Sequence, residues 1–237
     1  MDYFYTPPEK ISGDSVLIDG EEFSHLVHVM RKKSGDEIRV VDGLGTAYDV
    51  RLGEIRKKMV RGEISRKFPN HNEPAVAVTI AAGILKNPSK FDFLVEKAVE
   101  LGVREIVPLR TERTIPSHAK TGRWQKLALA AMKQCGRGVL PKVREAETLD
   151  EMLEEGRRFG RVYVAHQQAR GTWPGMTGPP DGSVLMLIGP EGGFSDEEID
   201  RCTASGAVPV TFGDRRLRTE TAAIVAAAAS LIFNSKG

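Results

Sequence analysis

Apolar and polar side chains alternate through short runs of the first 68 residues, at 3–5, 15–18, 37–41, 46–55 and 59–65. A period of two places successive side chains on opposite faces of a strand, and Gly13, Gly20, Gly35, Gly43, Gly45 and Gly53 supply the turns between the runs. The pattern predicts a small β-barrel over residues 1–70. One helix interrupts it, where Phe23, Leu26, Val27 and Met30 recur at i, i+3, i+4 and i+7.

Residues 69–74 (PNHNEP) are polar and bounded by prolines, which predicts a domain boundary. From 74 to 237 the pattern changes to strands alternating with helices. A strand at 75–82 precedes a helix capped by Asn87, with Pro88 at its first position, an apolar face of Phe91, Leu94, Val95, Ala98 and Leu101, and Gly102 at its end. Further strands are expected at 105–109, 161–165 and 207–211, a helix around Trp124, Leu127 and Ala131, and a capping box from Thr148 to Glu151. Such alternation implies an α/β domain with a mainly parallel sheet covered on both faces. The last helix, expected at 219–233, is apolar nearly all round and must be buried on several sides, against the sheet or against a second chain.

Composition narrows the class. The 237 residues, 41% of them hydrophobic, suffice for one large or two modest cores. Two cysteines, Cys135 and Cys202, stand in no metal-ligand spacing, and with no secretory leader they point to the cytoplasm. The longest apolar run, 222–229, is about half of what a bilayer requires, so no membrane association is expected. A net charge of +2 does not by itself announce a nucleic-acid partner. Local clusters do more: Arg31, Lys32 and Lys33 close the first helix, and Arg56, Lys57, Lys58, Arg61, Arg66 and Lys67 gather near the last strands of the first domain. They are either solvated faces or contacts to RNA phosphates.

The most informative stretch is 184–194, VLMLIGPEGGF, an apolar run of strand length ending in a glycine-proline turn with two further glycines. Ligands of open α/β sheets bind at the carboxyl ends of strands, where glycines let a ligand approach the main chain. Ser195 and Glu198 form a capping box, so a surface helix starts at about 195. Neither G-x-G-x-x-G nor G-x-x-x-x-G-K-[ST] can be written through the loop, which disfavours a phosphate cradle and a dinucleotide oxidoreductase.

Together, LIGPEGGFSDEEI and the later RRLRTETA, which leads into an alanine-rich helix, resemble the SPOUT superfamily and, within it, the bacterial 16S rRNA uridine-N3 methyltransferase family. HLVHVMR from His25, GDE from Gly35, FDFLVEKAVELGV from Phe91, PLRTERT from Pro108 and QCGR from Gln134 add to the resemblance, which spans nearly the whole chain. It implies a PUA-like β-barrel that grips RNA, a SPOUT domain with a carboxyl-terminal trefoil knot, a homodimer, and S-adenosylmethionine as cofactor. The partner it implies is 16S rRNA of the small ribosomal subunit.

For that reaction no metal is needed, since methyl transfer from a sulfonium is an in-line displacement that depends on alignment. N3 of uracil must lose its proton, and an arginine would stabilise the charge that develops on the flanking carbonyl oxygens. Arg218 is the candidate, with an ion pair to Glu191 or Glu220 as the alternative reading; Glu191 is the candidate to orient Arg218 or the cofactor, or else stabilises the amino end of the following helix. Thr219 and Glu220 fit capping positions of the last helix. Expected cofactor contacts are Leu187, Ile188, Gly189, Glu191, Gly192, Gly193, Phe212, Gly213, Leu217 and Arg218. Expected RNA contacts are Arg31, Lys32, Arg56, Lys57, Lys58 and Arg113. A non-catalytic RNA-binding protein and a SPOUT enzyme acting at another RNA site stand as the alternatives.

Overall fold

In the computed structural model, which describes residues 2–116, 118–169 and 182–232, the alternating runs of the amino-terminal part pair into one six-stranded sheet. Its strands are β1 (Tyr3–Tyr5), β2 (Ile11–Ser12), β3 (Ser15–Asp19), β4 (Glu37–Val41), β5 (Ala47–Ile55) and β6 (Met59–Phe68), in the order β1-β4-β5-β6-β3-β2. Only β1 and β4 run parallel; the other pairs are antiparallel. The inward positions of the alternation, among them Val16, Ile18, Ile38, Val40, Val50, Leu52, Val60 and Ile64, form one core with Phe4, Phe23 and Leu26. Each buried side chain of this size contributes about 1.5–3 kcal/mol.

The expected first helix takes a different form. An α-helical turn, α1 (Gly20–Ser24), passes into a π-helical turn at His25–Val29, where Met30 N donates to His25 O at 2.9 Å. The wider turn carries the chain off the i+3/i+4 stripe. Phe23 and Leu26 are therefore buried while Val27 and Met30 are only half-buried.

The chain divides into two units, residues 1–73 with 132–140 and residues 74–131 with 141–237. In the first, the returning segment is tied to the turns after β4 and β6: Gly45 N donates to Gly138 O at 3.1 Å and Leu140 N to Gly43 O at 2.9 Å. The carboxylate of Glu73 accepts from Arg137 Nη2 at 2.6 Å and from Val139 N at 2.9 Å.

The second unit is an α/β layer structure. Its elements are β7 (Ala77–Gly83), α2 (Pro88–Leu101), β8 (Glu105–Arg110), α3 (Thr121–Cys135), β9 (Lys142–Val143), β10 (Glu147–Thr148), α4 (Leu149–Glu155), β11 (Arg161–Ala165), β12 (Ser183–Ile188), α5 (Asp196–Ala204), β13 (Val208–Val210) and α6 (Thr219–Ile232). The sheet order is β10-β8-β7-β12-β11-β13, with β9 beside β8, and every pair is parallel. Helix ends follow the residues that predict them: Asn87 accepts from Ser89 N, Gly102 closes α2 at φ 107°, and Thr148 and Ser195 form capping boxes. Phe91 of α2 and Trp124 of α3 stack at 4.1 Å. The last helix packs on α2 and across β7 and β12. It buries Ala223, Ala226, Ala227 and Leu231 and leaves Ile224 and Val225 half-buried. Residue 233, expected at its end, lies outside the described residues.

Candidate functional site

The carboxyl ends of β11, β12 and β13 open into one cleft of about 990 Å³. The loop after β12 forms one wall from Ile188 to Phe194, the end of β11 contributes Ala165, His166, Gln167 and Gln168, and the chain from Val210 to Glu220 forms the opposite side. Lys90 of α2, Arg113 from the turn after β8, Asp196 of α5 and Ala222 of α6 complete the lining. Parallel strands end here together, which is why the chemistry-bearing loops converge.

The glycine loop is held by backbone fit and by hydrogen bonds from distant residues. A Cβ on Gly189 would lie 3.0 Å from Phe194 N, and one on Gly83 would lie 2.4 Å from Pro190 N, so the loop closes on itself and on the end of β7 only because both positions lack a side chain. Arg113 Nη1 donates to Gly192 O at 3.0 Å and to Phe194 O at 3.2 Å, and Arg216 Nη2 donates to Glu191 O at 3.3 Å. Thr219 Oγ1 donates to Gly189 O at 2.9 Å. Glu198, buried, closes the capping box on Ser195 N at 2.9 Å and accepts from Glu112 N at 2.8 Å, which fastens the start of α5 to the turn that carries Arg113.

Of the residues expected at a cofactor site, Ile188, Gly189, Glu191, Gly192, Gly193, Phe212, Gly213, Leu217 and Arg218 line this cleft. Leu187 does not; its side chain is fully buried in the sheet core with Val164 and Leu185. Arg218 is exposed on the cleft, and among the described residues no carboxylate lies within ion-pairing distance of it. The expected link from Glu191 to Arg218 is replaced by another contact: Glu191 Oε1 accepts from Lys86 N at 3.1 Å and so anchors the chain that enters α2. Glu220 faces Lys90 instead, at 3.7 Å. Thr219, expected as a cap, turns its hydroxyl to the glycine loop.

Sequence reasoning missed Lys90, Gln167, Gln168 and Arg216 as cleft residues. Gln167 and Gln168 follow β11 directly, so the rule that strand ends carry ligands would have reached them. Lys90 sits on an ordinary-looking first helical turn and carries no local signal.

The expected RNA contacts fall in two places. In the first unit Arg31, Arg56, Lys57 and Lys58 are exposed; Lys32 pairs with Asp2 at 3.3 Å and Arg56 with Glu54 at 3.5 Å. Both pairs are surface contacts of small energy, which leaves the cations available. Arg113 stands in the second unit, on the cleft wall. Among the described residues no group of three or more His, Cys, Asp or Glu could hold a metal ion, and no helix is long and apolar enough to cross a membrane.

A family model described as an RNA methyltransferase domain matches residues 71–231, and one described as an RNA methyltransferase PUA domain matches residues 18–65. The ribosomal RNA small subunit methyltransferase E of Synechocystis is 31% identical over 93% of this chain and 74% of its own. Its counterpart from Bacillus subtilis is 29% identical over 90% and 88%. The crystal structure of a ribosomal RNA small subunit methyltransferase E from Neisseria gonorrhoeae bound to S-adenosyl methionine is similar with a TM-score of 0.86 at 31% identity, covering 97% of this chain and 96% of that one. The matched stretch 71–231 contains every loop of the cleft, and the chain belongs to the RNA methyltransferase family that includes the ribosomal RNA small subunit methyltransferases E.

Proposed function

We propose that this protein methylates N3 of a uridine in 16S ribosomal RNA of the small subunit, with S-adenosylmethionine as donor, in the cytoplasm. The observation that carries the reading is the convergence of the glycine loop 188–194 and the arginine segment 215–218 on one cleft at the ends of parallel strands. The cleft fits the cofactor: glycines bare the main chain at positions 189, 192, 193 and 213, and Ile188, Phe212 and Leu217 offer apolar surface to an aromatic ring.

Bound there, S-adenosylmethionine supplies an electrophilic methyl group on a sulfonium. To take that group, N3 of uracil would release its proton to solvent, and the negative charge would spread to the flanking oxygens. Arg218, exposed on the cleft and unpaired among the described residues, offers its guanidinium to that charge. Its position just before Thr219, where α6 begins, adds the positive end of a helix dipole. Thr219, Arg113 and Arg216 hold the loop carbonyls and so keep the cleft in shape when no ligand contacts them.

The first unit supplies a PUA-like RNA grip through Arg31, Lys32, Arg56, Lys57 and Lys58, and Arg113 adds a contact beside the cleft. The half-buried Ile224 and Val225 of α6 support a homodimer through that helix, and the Thr219–Gly189 contact suits a knotted arrangement of the loops after β12 and β13. Sedimentation at micromolar concentration should give twice the chain mass; a clean monomer would remove the dimer.

The test of the reaction is methylation of small ribosomal subunits that lack the modification, with methyl-labelled cofactor, followed by nucleoside analysis. N3-methyluridine is the expected product. Label on another base would reassign the target, and RNA binding without any transfer would leave the non-catalytic reading in its place.

A further inference from the structure

One charged pair in the cleft has no part in the chemistry proposed above. Glu220, on the first turn of α6, is 8% exposed, and its Oε2 has no hydrogen-bond partner among the described residues. Its other oxygen lies 3.7 Å from Lys90 Nζ, beyond hydrogen-bonding reach. Leaving a charged oxygen buried and unsatisfied is costly unless a donor arrives. Both side chains belong to the cleft lining. A cation and an anion a few ångströms apart, each without a close partner in the other, form the complement of a ligand that carries both charges on one small group.

We propose that Glu220 and Lys90 clamp the amino-acid end of the cofactor, the carboxylate of Glu220 accepting from its ammonium and the ammonium of Lys90 donating to its carboxylate. The assignment rests on the cofactor reading given above. Phe212 and Leu217 of the same lining remain for the ring system, so the bound molecule would be held at both extremities. Fixing both ends restricts where the methyl group points, which is what an in-line transfer requires.

The test compares two ligands on the full chain by calorimetry: S-adenosylmethionine, and methylthioadenosine, which keeps the ring, ribose and sulfur but lacks the amino-acid end. Glu220→Gln is nearly isosteric, and Lys90→Met preserves the stem; each should weaken S-adenosylmethionine by roughly ten- to a hundredfold, the worth of a charged hydrogen bond, and leave methylthioadenosine unchanged. Unchanged affinity for S-adenosylmethionine in both variants would overturn the clamp. Parallel weakening of both ligands would overturn it as well, since the pair would then only shape the cleft. If the parent protein binds neither ligand, the cofactor reading itself falls and takes the clamp with it.

Discussion

Thr219 Oγ1 donates to Gly189 O at 2.9 Å, and with that one hydrogen bond the first residue of the last helix is fastened to the glycine loop at the end of β12. The two positions are thirty residues apart, and both line the cleft. Thr219→Val keeps the shape of the side chain and removes the donor. We expect a loss of about 0.5–1.5 kcal/mol in denaturant unfolding, together with weaker S-adenosylmethionine binding, and recovery of both in Thr219→Ser. Parent-like behaviour of the valine variant in both measurements would show that the bond adds nothing.

Arg218→Ala should separate binding from chemistry. The donor is already cationic at sulfur, so loss of a nearby arginine should leave its affinity within a few-fold, while turnover should fall by about 10² to 10³, the usual effect of deleting a preorganised donor. Single-turnover rates at saturating cofactor decide this. A rate equal to the parent's would remove Arg218 from the reaction, and the ion-pair alternative could not replace it, because Glu191 and Glu220 face Lys86 and Lys90.

Gly192→Val should act on the loop before it acts on the ligand. A Cβ at this position would stand 3.2 Å from Arg113 Cβ and 3.3 Å from its Cδ, so a branched side chain must push Arg113 away from the carbonyls of Gly192 and Phe194. Cofactor affinity should collapse. Arg113→Met removes the same two hydrogen bonds without adding bulk, and should give a smaller loss of affinity in the same titration. If the methionine variant loses as much, the two Arg113 hydrogen bonds and not the space are what Gly192 protects.

His71 gives the first unit a pH dependence of known sign. Burial and the neighbouring Arg39 lower its pKa from the ordinary 6.5, and its Nε2 lies 2.9 Å from Tyr3 Oη. The folded state therefore binds fewer protons than the unfolded chain: the stabilisation is fully present above 6.5 and is lost as pH falls from there through the lower folded-state value. Urea midpoints at roughly pH 8 and pH 5, on either side of the histidine range, should differ less in His71→Gln than in the parent. An identical difference would assign the acid sensitivity to other groups.

The exposed cations of the first unit should govern the salt response of RNA binding. Neutralising Arg56, Lys57 or Lys58 should each reduce the slope of log affinity against log salt by about one ion while leaving target choice intact. A slope that does not move would make the cluster a solvated face.

Much of this architecture is written in local sequence. Asn87-Pro88 and Gly102 bracket α2, and the boxes at Thr148 and Ser195 start α4 and α5, because capping chemistry acts over a few residues. The two halves of the cleft were legible for the same reason, as short glycine- and arginine-rich strings. What sequence could not reach depends on contacts made across the fold. Glu191 pairs with an amide 105 positions earlier, and Lys90 meets Glu220 only because α2 and α6 pack together. The π-helical turn at His25–Val29 escaped because its apolar residues also satisfy an α-helical period.

The return of residues 132–140 to the first unit determines what can be inherited or transplanted. A gene fragment ending at residue 73 would encode all six strands of the first sheet and still omit Arg137 and Val139, the two partners of the Glu73 carboxylate. That acid would lose both its ion pair with Arg137 and the amide of Val139, and the segment that carries them would no longer cover the turns after β4 and β6. The first unit is thus not a detachable cassette. A transplant that keeps the unit intact must carry two separate stretches of the gene, 1–73 and 132–140, across the residues 74–131 that stand between them.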